Sequence, residues 1–133
     1  MSYYEKFSDA DEKTRERLNK ILFDDEEVVC VVRNQDFLTR ILGIDPTEDN
    51  LFASLGDLGD SFWRLALTDQ RLIKFSPVQA RGTDAYQLGS INNINYGSVL
   101  EISGSGYEEE FDEFYPGDVK LLVEDLREQV AEA

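Results

Sequence analysis

The residues best suited to chemistry lie together in the stretch "LALTDQRLIKF", from Leu65 to Phe75. Its polar centre brings together a threonine hydroxyl, the carboxylate of Asp69 and the guanidinium of Arg71, a combination that catalytic and anion-binding loops use. The apolar residues on either side predict two strands, however, and the same polar residue types form tight turns. Thr68 and Asp69 can each accept hydrogen bonds from nearby backbone amides. We therefore predict that Thr68 to Gln70 form a turn and not a catalytic loop.

The other side chains with catalytic potential are a single cysteine and many carboxylates. Histidine is absent from the sequence, which excludes the Ser-His-Asp and Cys-His mechanisms and histidine-based zinc sites. Cys30 lies between two pairs of valines, a pattern that predicts an inert core residue and not a nucleophile. The acidic stretch "YEEEFDEF" leaves a loose divalent-cation site open, but any fold of so acidic a chain would bring carboxylates together. We predict no catalytic residues, no cofactor and no metal.

Composition and charge predict the domain organisation and argue against some kinds of binding partner. A chain of 133 residues with 41% hydrophobic residues predicts one domain, residues 1–133, with its own core. Its 28 acidic and 13 basic residues give a net charge of −15, which repels nucleic acids and anionic lipid headgroups. The lone cysteine, and the lack of a signal-peptide pattern or an apolar stretch of ~20 residues, predict a cytoplasmic protein. The acidity also suits a high-salt cytoplasm, which leaves a halophilic source open.

The apolar periodicity predicts a mainly β domain flanked by helices. An amphipathic helix is expected at residues 9–23, with Ser8 as its N-cap. The β-branched run "EEVVCVVRN" predicts a buried first strand, and a partly helical insert follows at residues 34–60. Short strands alternate with turns from Ser61 to about Glu113, which is typical of an antiparallel sandwich or barrel. A second amphipathic helix at residues 116–131 should pack on this core.

The pairing of the two strands around the turn can be tested against the apolar pattern. A three-residue loop places Arg64 opposite Lys74 on an outer face. The other face then holds apolar pairs: Trp63–Phe75 and Leu65–Ile73. Slipping by one residue would set Leu65 against Lys74 and Arg64 against Phe75, which mixes core and solvent positions, so we predict the first register. Arg64 and Lys74, with Arg81, then form a candidate contact for an anion or a partner, unless a neighbouring carboxylate neutralises them.

From Glu27 to about Val130 the order of elements resembles that of bacterial pleckstrin-homology (PH)-like domains. In that family a Leu-x-Leu-Thr-Asp-x-Arg-Leu-Ile hairpin precedes an Ile-Pro-Leu-x-x-Ile segment. The sequence "LALTDQRLI" matches the hairpin, and "YQLGSINNINY" resembles the second segment without its proline. The resemblance implies seven antiparallel strands in two packed sheets, a sandwich or partly open barrel that the last helix caps. It implies no enzymatic activity, and the insert at 34–60 is longer than the family's usual connection.

The insert at residues 34–60 offers a second candidate surface. It contains six acidic residues and one basic residue, Arg40, which argues against a site for phosphoinositides or other anionic headgroups. Its apolar residues could contact a protein partner or a second copy of the chain, or could fold back as extra core. These residues are Phe37, Leu38, Ile41, Leu42, Leu51 and Phe52.

The sequence thus predicts a non-enzymatic PH-like interaction or scaffold module. It would bind a protein partner or itself, through the insert or by adding a strand to an open sheet edge. Two alternatives remain open. The apolar stripes of the insert could enter a bilayer at high salt, where charge repulsion is screened. A cleft lined by acidic residues could instead bind a small ligand or catalyse a reaction.

Overall fold

The computed structural model describes residues 3–34, 63–77 and 83–133 of the chain. In these ranges the protein is mainly β, with a five-stranded and a three-stranded antiparallel sheet and two α-helices. The strands are β1 (Tyr3–Tyr4), β2 (Val28–Arg33), β3 (Arg64–Thr68), β4 (Arg71–Phe75), β5 (Asp84–Gln87), β6 (Ile91–Tyr96), β7 (Leu100–Gly104) and β8 (Tyr107–Phe111). The helices are α1 (Glu12–Ile21) and α2 (Asp118–Glu132), and 3-10 turns lie at Phe7–Asp9 and Leu88–Ser90.

The two sheets pack against each other around the larger of two hydrophobic cores. The first sheet has the order β1-β2-β3-β4-β5 and the second has the order β6-β7-β8, so strands that follow one another along the chain are neighbours. Inward-facing side chains of both sheets form this core, among them Leu65, Leu72, Leu100, Ile102 and Phe111. Burial of each such side chain contributes roughly 1.5–3 kcal/mol, and the core therefore ties the two sheets together.

Helix α2 caps this core by contacting both sheets. Its predicted apolar stripe is confirmed, since Leu122, Val123 and Leu126 are buried among the core residues. The helix packs against β2 and β3 of the first sheet and against β6 of the second. It begins at Asp118, directly after Gly117, whose φ of 87° lies in the left-handed region that favours glycine.

Helix α1 covers the opposite face of the five-stranded sheet and builds a second, smaller core. Leu18 is fully buried there in one cluster with Ala66, Ile73 and Phe75 of β3 and β4. The central hairpin of the sheet is therefore covered on both faces, and every residue of β3 is buried. Alternation of apolar and polar residues is weak in such a strand, because both of its faces must be compatible with burial.

The N-terminal helix begins later than the sequence predicts. Ser8 lies in the 3-10 turn, and Asp11 caps α1 instead, accepting a hydrogen bond from the amide of Thr14 at 3.1 Å. The Thr14 hydroxyl donates to the same carboxylate at 2.8 Å. A carboxylate at the N-cap satisfies an otherwise unpaired amide and complements the positive end of the helix dipole.

The register of the β3–β4 hairpin differs from the prediction by one residue. Arg64 lies opposite Phe75 and Leu65 opposite Lys74, around a turn at Asp69–Gln70. The prediction that Arg64 faces Lys74 is wrong because it assumed that one face meets solvent, whereas α1 covers one face and the second sheet covers the other. Lys74 consequently extends over two aromatic rings at the border of the main core, where its charge is stabilised by their π-electrons.

Candidate functional site

The polar residues around the β3–β4 turn contact the segment between α1 and β2. Arg71 binds Glu26 with two hydrogen bonds, from Nε to Oε2 at 2.9 Å and from Nη2 to Oε1 at 2.6 Å. Nη2 also donates to the carbonyl of Ile21 at 3.3 Å, and the guanidinium lies 4.1 Å from the ring centre of Phe23. The arginine therefore fixes the end of α1 and the start of the next loop onto the hairpin.

Thr68 and Asp69 complete the same network. The Thr68 hydroxyl donates to Glu26 at 2.6 Å and accepts from the amides of Gln70 and Arg71 at 3.0 and 2.8 Å. Its side chain therefore bonds nearby amides as predicted, but Thr68 itself is the last residue of β3 and the turn is one residue shorter than predicted. The Asp69 carboxylate accepts a hydrogen bond from the backbone amide of Glu27 at 3.0 Å. The backbone amide of Asp69 donates a hydrogen bond to the Glu27 carbonyl at the same distance. These groups stabilise the fold by satisfying one another. Glu26, which binds both Thr68 and Arg71, is absent from the sequence-based candidates.

We expect acid to remove the contribution of this ion pair. Burial alone would raise the pKa of the Glu26 carboxyl, but hydrogen bonds from Arg71, Thr68 and the Phe23 amide outweigh it and hold the pKa below its ordinary value of 4.5. Because the folded pKa lies below the unfolded one, the stabilisation is complete above about pH 4.5 and is lost as the pH falls through the folded value. The difference in free energy of unfolding between the wild type and Glu26→Gln, measured by urea titration, should shrink below that pH.

The control for acid sensitivity is Glu27→Gln, because the Glu27 side chain is exposed. Its difference from the wild type should stay small and change little with pH, since exposed carboxylates contribute little. A wild-type advantage over Glu26→Gln that persists unchanged to about pH 3 would show that the charge of Glu26 is irrelevant to stability.

The buried Cys30 and the half-buried Tyr3 form a second polar group, next to helix α2. The Tyr3 hydroxyl donates to Asp125 of that helix, and burial followed by this bond raises the pKa of Tyr3. Burial also raises the pKa of the Cys30 thiol to about 12, although a hydrogen bond with Tyr3 lowers it in part. A thiol of this kind stays protonated at neutral pH and is a poor nucleophile, which agrees with the interpretation of Cys30 as a core residue.

The residues that the sequence proposed as an anion contact do not come together within the described part of the chain. Arg64 is fully buried on the face of the sheet that α1 covers, where its Nη1 donates to the side chain of Asn34 at 3.2 Å. Lys74 lies on the opposite face, with its ammonium 5.4 Å from the Trp63 ring centre. Arg81, the third residue of that prediction, lies outside the described residues. The second predicted surface, the apolar residues of the insert, also lies outside them: Phe37, Leu38, Ile41, Leu42, Leu51 and Phe52.

The outer face of the three-stranded sheet carries an open, acidic concavity. Two cross-strand rows line it: Asn93–Ser103–Glu108 and Asn95–Glu101–Glu110. The concavity, here called the outer groove, has a volume of about 460 Å³. Its side chains are mostly exposed, and Glu101 lies directly opposite Glu110, an arrangement that costs stability because like charges repel. The groove offers amides and carboxylates to a ligand, and it lacks a cationic side chain among its lining residues.

Strand β6 forms one edge of this sheet and differs from the other edge strands. It has six residues, "INNINY", without a charge or a proline. The opposite edge, β8, carries three consecutive glutamates, and the edges of the five-stranded sheet are β1 with two residues and β5 with four. Short strands and charged residues protect sheet edges against pairing with another chain, so β6 is the least protected edge in the described part of the molecule.

Helix α2 flanks the free side of β6. The carbonyl of Ile94 accepts a hydrogen bond from Nη2 of Arg127 at 3.4 Å, and the same guanidinium lies 5.5 Å from the ring centre of Tyr96, which is 42% exposed. The Ile94 carbonyl therefore points away from β7. Because the backbone amide and carbonyl of a strand residue point to the same side, Ile94 and Tyr96 both present hydrogen-bonding groups toward α2. The side chain of Arg127 occupies this edge. Among the described residues, no strand pairs with it.

No protein-family model, curated protein or solved structure matches the chain. Across residues 3–34, 63–77 and 83–133, no helix combines the length and apolar character that crossing a bilayer requires. The same ranges contain no group of three or more cysteine, aspartate or glutamate side chains placed to hold a metal ion. The β6 edge with its outer groove is a candidate site because an uncharged edge strand borders an open concavity there.

Sequence reasoning found the strands of this site but not the site itself. Strands β6, β7 and β8 all lie within the region from Ser61 to about Glu113, where the sequence predicts short strands separated by turns. The signal that could have identified the edge is the contrast between an uncharged, asparagine-rich strand and glutamate-rich or short strands elsewhere. That contrast becomes informative only when the strand order is known.

Proposed function

We propose that this chain is a non-enzymatic interaction module with a PH-like fold, and that it binds an extended segment of a partner protein by adding it as a strand to β6. The order of elements supports the fold: β2 to β5 supply four strands, β6 to β8 supply three, and α2 follows them. The hairpin sequence "LALTDQRLI" supports the same assignment. In this interpretation β1 and α1 are additions that precede the seven strands.

The observation that carries the binding proposal is the unprotected edge of β6. An extended peptide beside it would exchange backbone hydrogen bonds with Ile94 and Tyr96, which already direct such groups away from β7. Binding would require Arg127 to release the Ile94 carbonyl, a hydrogen bond that at 3.4 Å is long and weak. Main-chain bonds would then supply affinity, and side-chain contacts on the two faces of the added strand would supply specificity.

A binding role is also consistent with the structural roles of the side chains that could otherwise take part in catalysis. The loop at Glu26 and Glu27 is hydrogen-bonded to the polar side chains of the hairpin, those of Thr68, Asp69 and Arg71. The thiol of Cys30 is buried and its pKa is raised to about 12. Surface recognition of an extended segment needs none of these groups, because it uses the backbone of an edge strand.

The proposed function is tested with peptides selected from a displayed random library for binding to the intact chain. We expect the selected peptides to slow hydrogen exchange of the Ile94 and Tyr96 amides, measured by NMR, because an added strand would accept hydrogen bonds from both. Tyr96→Pro removes an outward-pointing amide without removing a bond to β7. This variant should weaken binding by about tenfold or more, since it loses one bond and obstructs the partner's backbone.

The matched control is Tyr96→Thr, which keeps the amide and the β propensity but removes the ring. It should bind the selected peptides within about threefold of the wild type, because an exposed ring contributes less than the backbone contact. Equal binding by Tyr96→Pro and Tyr96→Thr, or protection of amides elsewhere in place of Ile94 and Tyr96, would refute strand addition at β6. Failure to select any peptide would refute it as well.

A further inference from the structure

The chemistry of the segment that β6 would receive follows from the two faces of the sheet. A strand added to β6 continues the pleat, so its side chains point alternately to the outer groove and to the side of α2. On the groove side they would extend the two existing rows, which begin on β6 at Asn93 and Asn95. On the other side they would lie near the Tyr96 ring and the Arg127 guanidinium.

The groove side favours a cation. An added strand would lie about 5 Å from β6 and about 10 Å from β7, within reach of a lysine or arginine side chain that crosses Asn95 toward Glu101. Glu101 lies opposite Glu110 in that row, and the neighbouring row ends at Glu108. A positive charge here relieves the repulsion between the two facing carboxylates in addition to making its own attraction.

The α2 side disfavours a cation. Arg127 lies beside the Tyr96 ring, and after it releases the Ile94 carbonyl its guanidinium stays on this side of the sheet. A basic side chain on this side of the added strand would therefore meet an existing positive charge. An apolar or small polar side chain could instead pack on the Tyr96 ring. The two sides together therefore select alternating residues and not a uniformly basic stretch.

We propose that the partner segment carries lysine or arginine at every second position, with the basic side chains in the outer groove and uncharged side chains toward α2. This proposal rests on strand addition at β6. A second copy of the chain fits the groove less well, because edge-to-edge pairing of two β6 strands would join two acidic faces of a chain whose net charge is −15. Charge complementarity therefore favours a basic partner over self-association.

The test uses three synthetic peptides of about ten residues that alternate threonine with lysine, glutamine or glutamate. Fluorescence anisotropy with the intact chain at low salt should show the lysine peptide binding about tenfold tighter than the glutamine peptide, since two or three exposed charge pairs contribute. The glutamate peptide should bind more weakly than either. Raising the salt concentration should reduce the lysine preference, because the groove is open to solvent.

Two double variants separate the groove from the overall charge. Glu101→Gln with Glu110→Gln should bring the lysine and glutamine peptides to within about twofold of each other, because the paired carboxylates are gone. Glu5→Gln with Glu16→Gln removes the same number of charges at exposed positions outside the groove, and it should retain most of the preference. Equal loss in both double variants would show that only the net charge attracts the peptide and would overturn the proposal.

The remaining outcomes distinguish this proposal from the proposed function. If the glutamine peptide binds as tightly as the lysine peptide and both protect the amides of Ile94 and Tyr96, strand addition stands and the basic partner is wrong. If the selected library peptides protect these amides and none of the three synthetic peptides does, strand addition stands and the basic partner is wrong. If no peptide of either kind protects them, both are wrong. If the amides are protected without peptide and light scattering shows a dimer, β6 pairs with a second copy and the basic partner is again wrong.

Discussion

Replacing Arg71 by methionine is expected to lower the free energy of unfolding by about 3–5 kcal/mol, because it leaves the buried carboxylate of Glu26 without its cation. The Glu26 side chain is fully buried and the Arg71 side chain is 9% exposed, so water cannot replace the lost partner. The substitution also removes the bond to the Ile21 carbonyl and the contact with the Phe23 ring. Urea denaturation at neutral pH, followed by circular dichroism, measures the change.

The double variant Arg71→Met with Glu26→Gln controls for the buried charge. It should be more stable than the sum of the two single changes predicts, since neither charge is left alone in the interior. Arg127→Met, which removes an arginine that bonds one exposed carbonyl, should change stability by less than about 1 kcal/mol. A loss of under about 1 kcal/mol for Arg71→Met would mean that the ion pair is not a major stabilising contact.

Replacing Leu122 by alanine is expected to cost about 2–5 kcal/mol, because it opens a cavity where α2 meets both sheets. Leu122 is completely buried in the main core, whereas its neighbour Leu121 is 43% exposed. Leu121→Ala is therefore a matched control with the same chemical change on the same helix, and it should cost less than about 1 kcal/mol. Thermal and urea denaturation of the two variants provide the comparison.

The comparison of these two leucine variants measures the packing of α2 on the sheets and not the intrinsic stability of the helix, because alanine is a good helix former at either position. Similar losses for Leu121→Ala and Leu122→Ala would indicate that α2 contributes through its own helicity alone. A loss confined to Leu122→Ala would locate the effect in the contact between the helix and the two sheets.

Local periodicity was sufficient to predict both helices and most strands. The stripe that includes Leu122 and Leu126 identifies α2 because a helix on a core buries one face at helical spacing. Cys30 was assigned to the core because four valines flank it, and it is buried. Features of this kind depend only on residues nearby in the sequence, so they can be predicted without knowledge of the fold.

Features that depend on distant residues could not be predicted. The predicted register of the hairpin was wrong because α1 covers the face that carries Arg64. No pattern within the hairpin sequence indicates that a helix lies on that face. Glu26 was missed because its partners Thr68 and Arg71 lie more than forty residues away. The exposure of the β6 edge likewise depends on strand order, which the alternation of side chains does not specify.

The hairpin formed by β3 and β4 belongs to both hydrophobic cores, since Leu65 lies in one and Ala66 in the other. Neither core can lose its packing without exposing a strand on which the other depends, so the two cores should melt as one cooperative unit. Strand β6 shares only one core and its free edge faces a side chain. The molecule thus joins a cooperative interior to a strand edge that one arginine side chain covers, which would let the proposed binding surface change locally while the two cores stay folded.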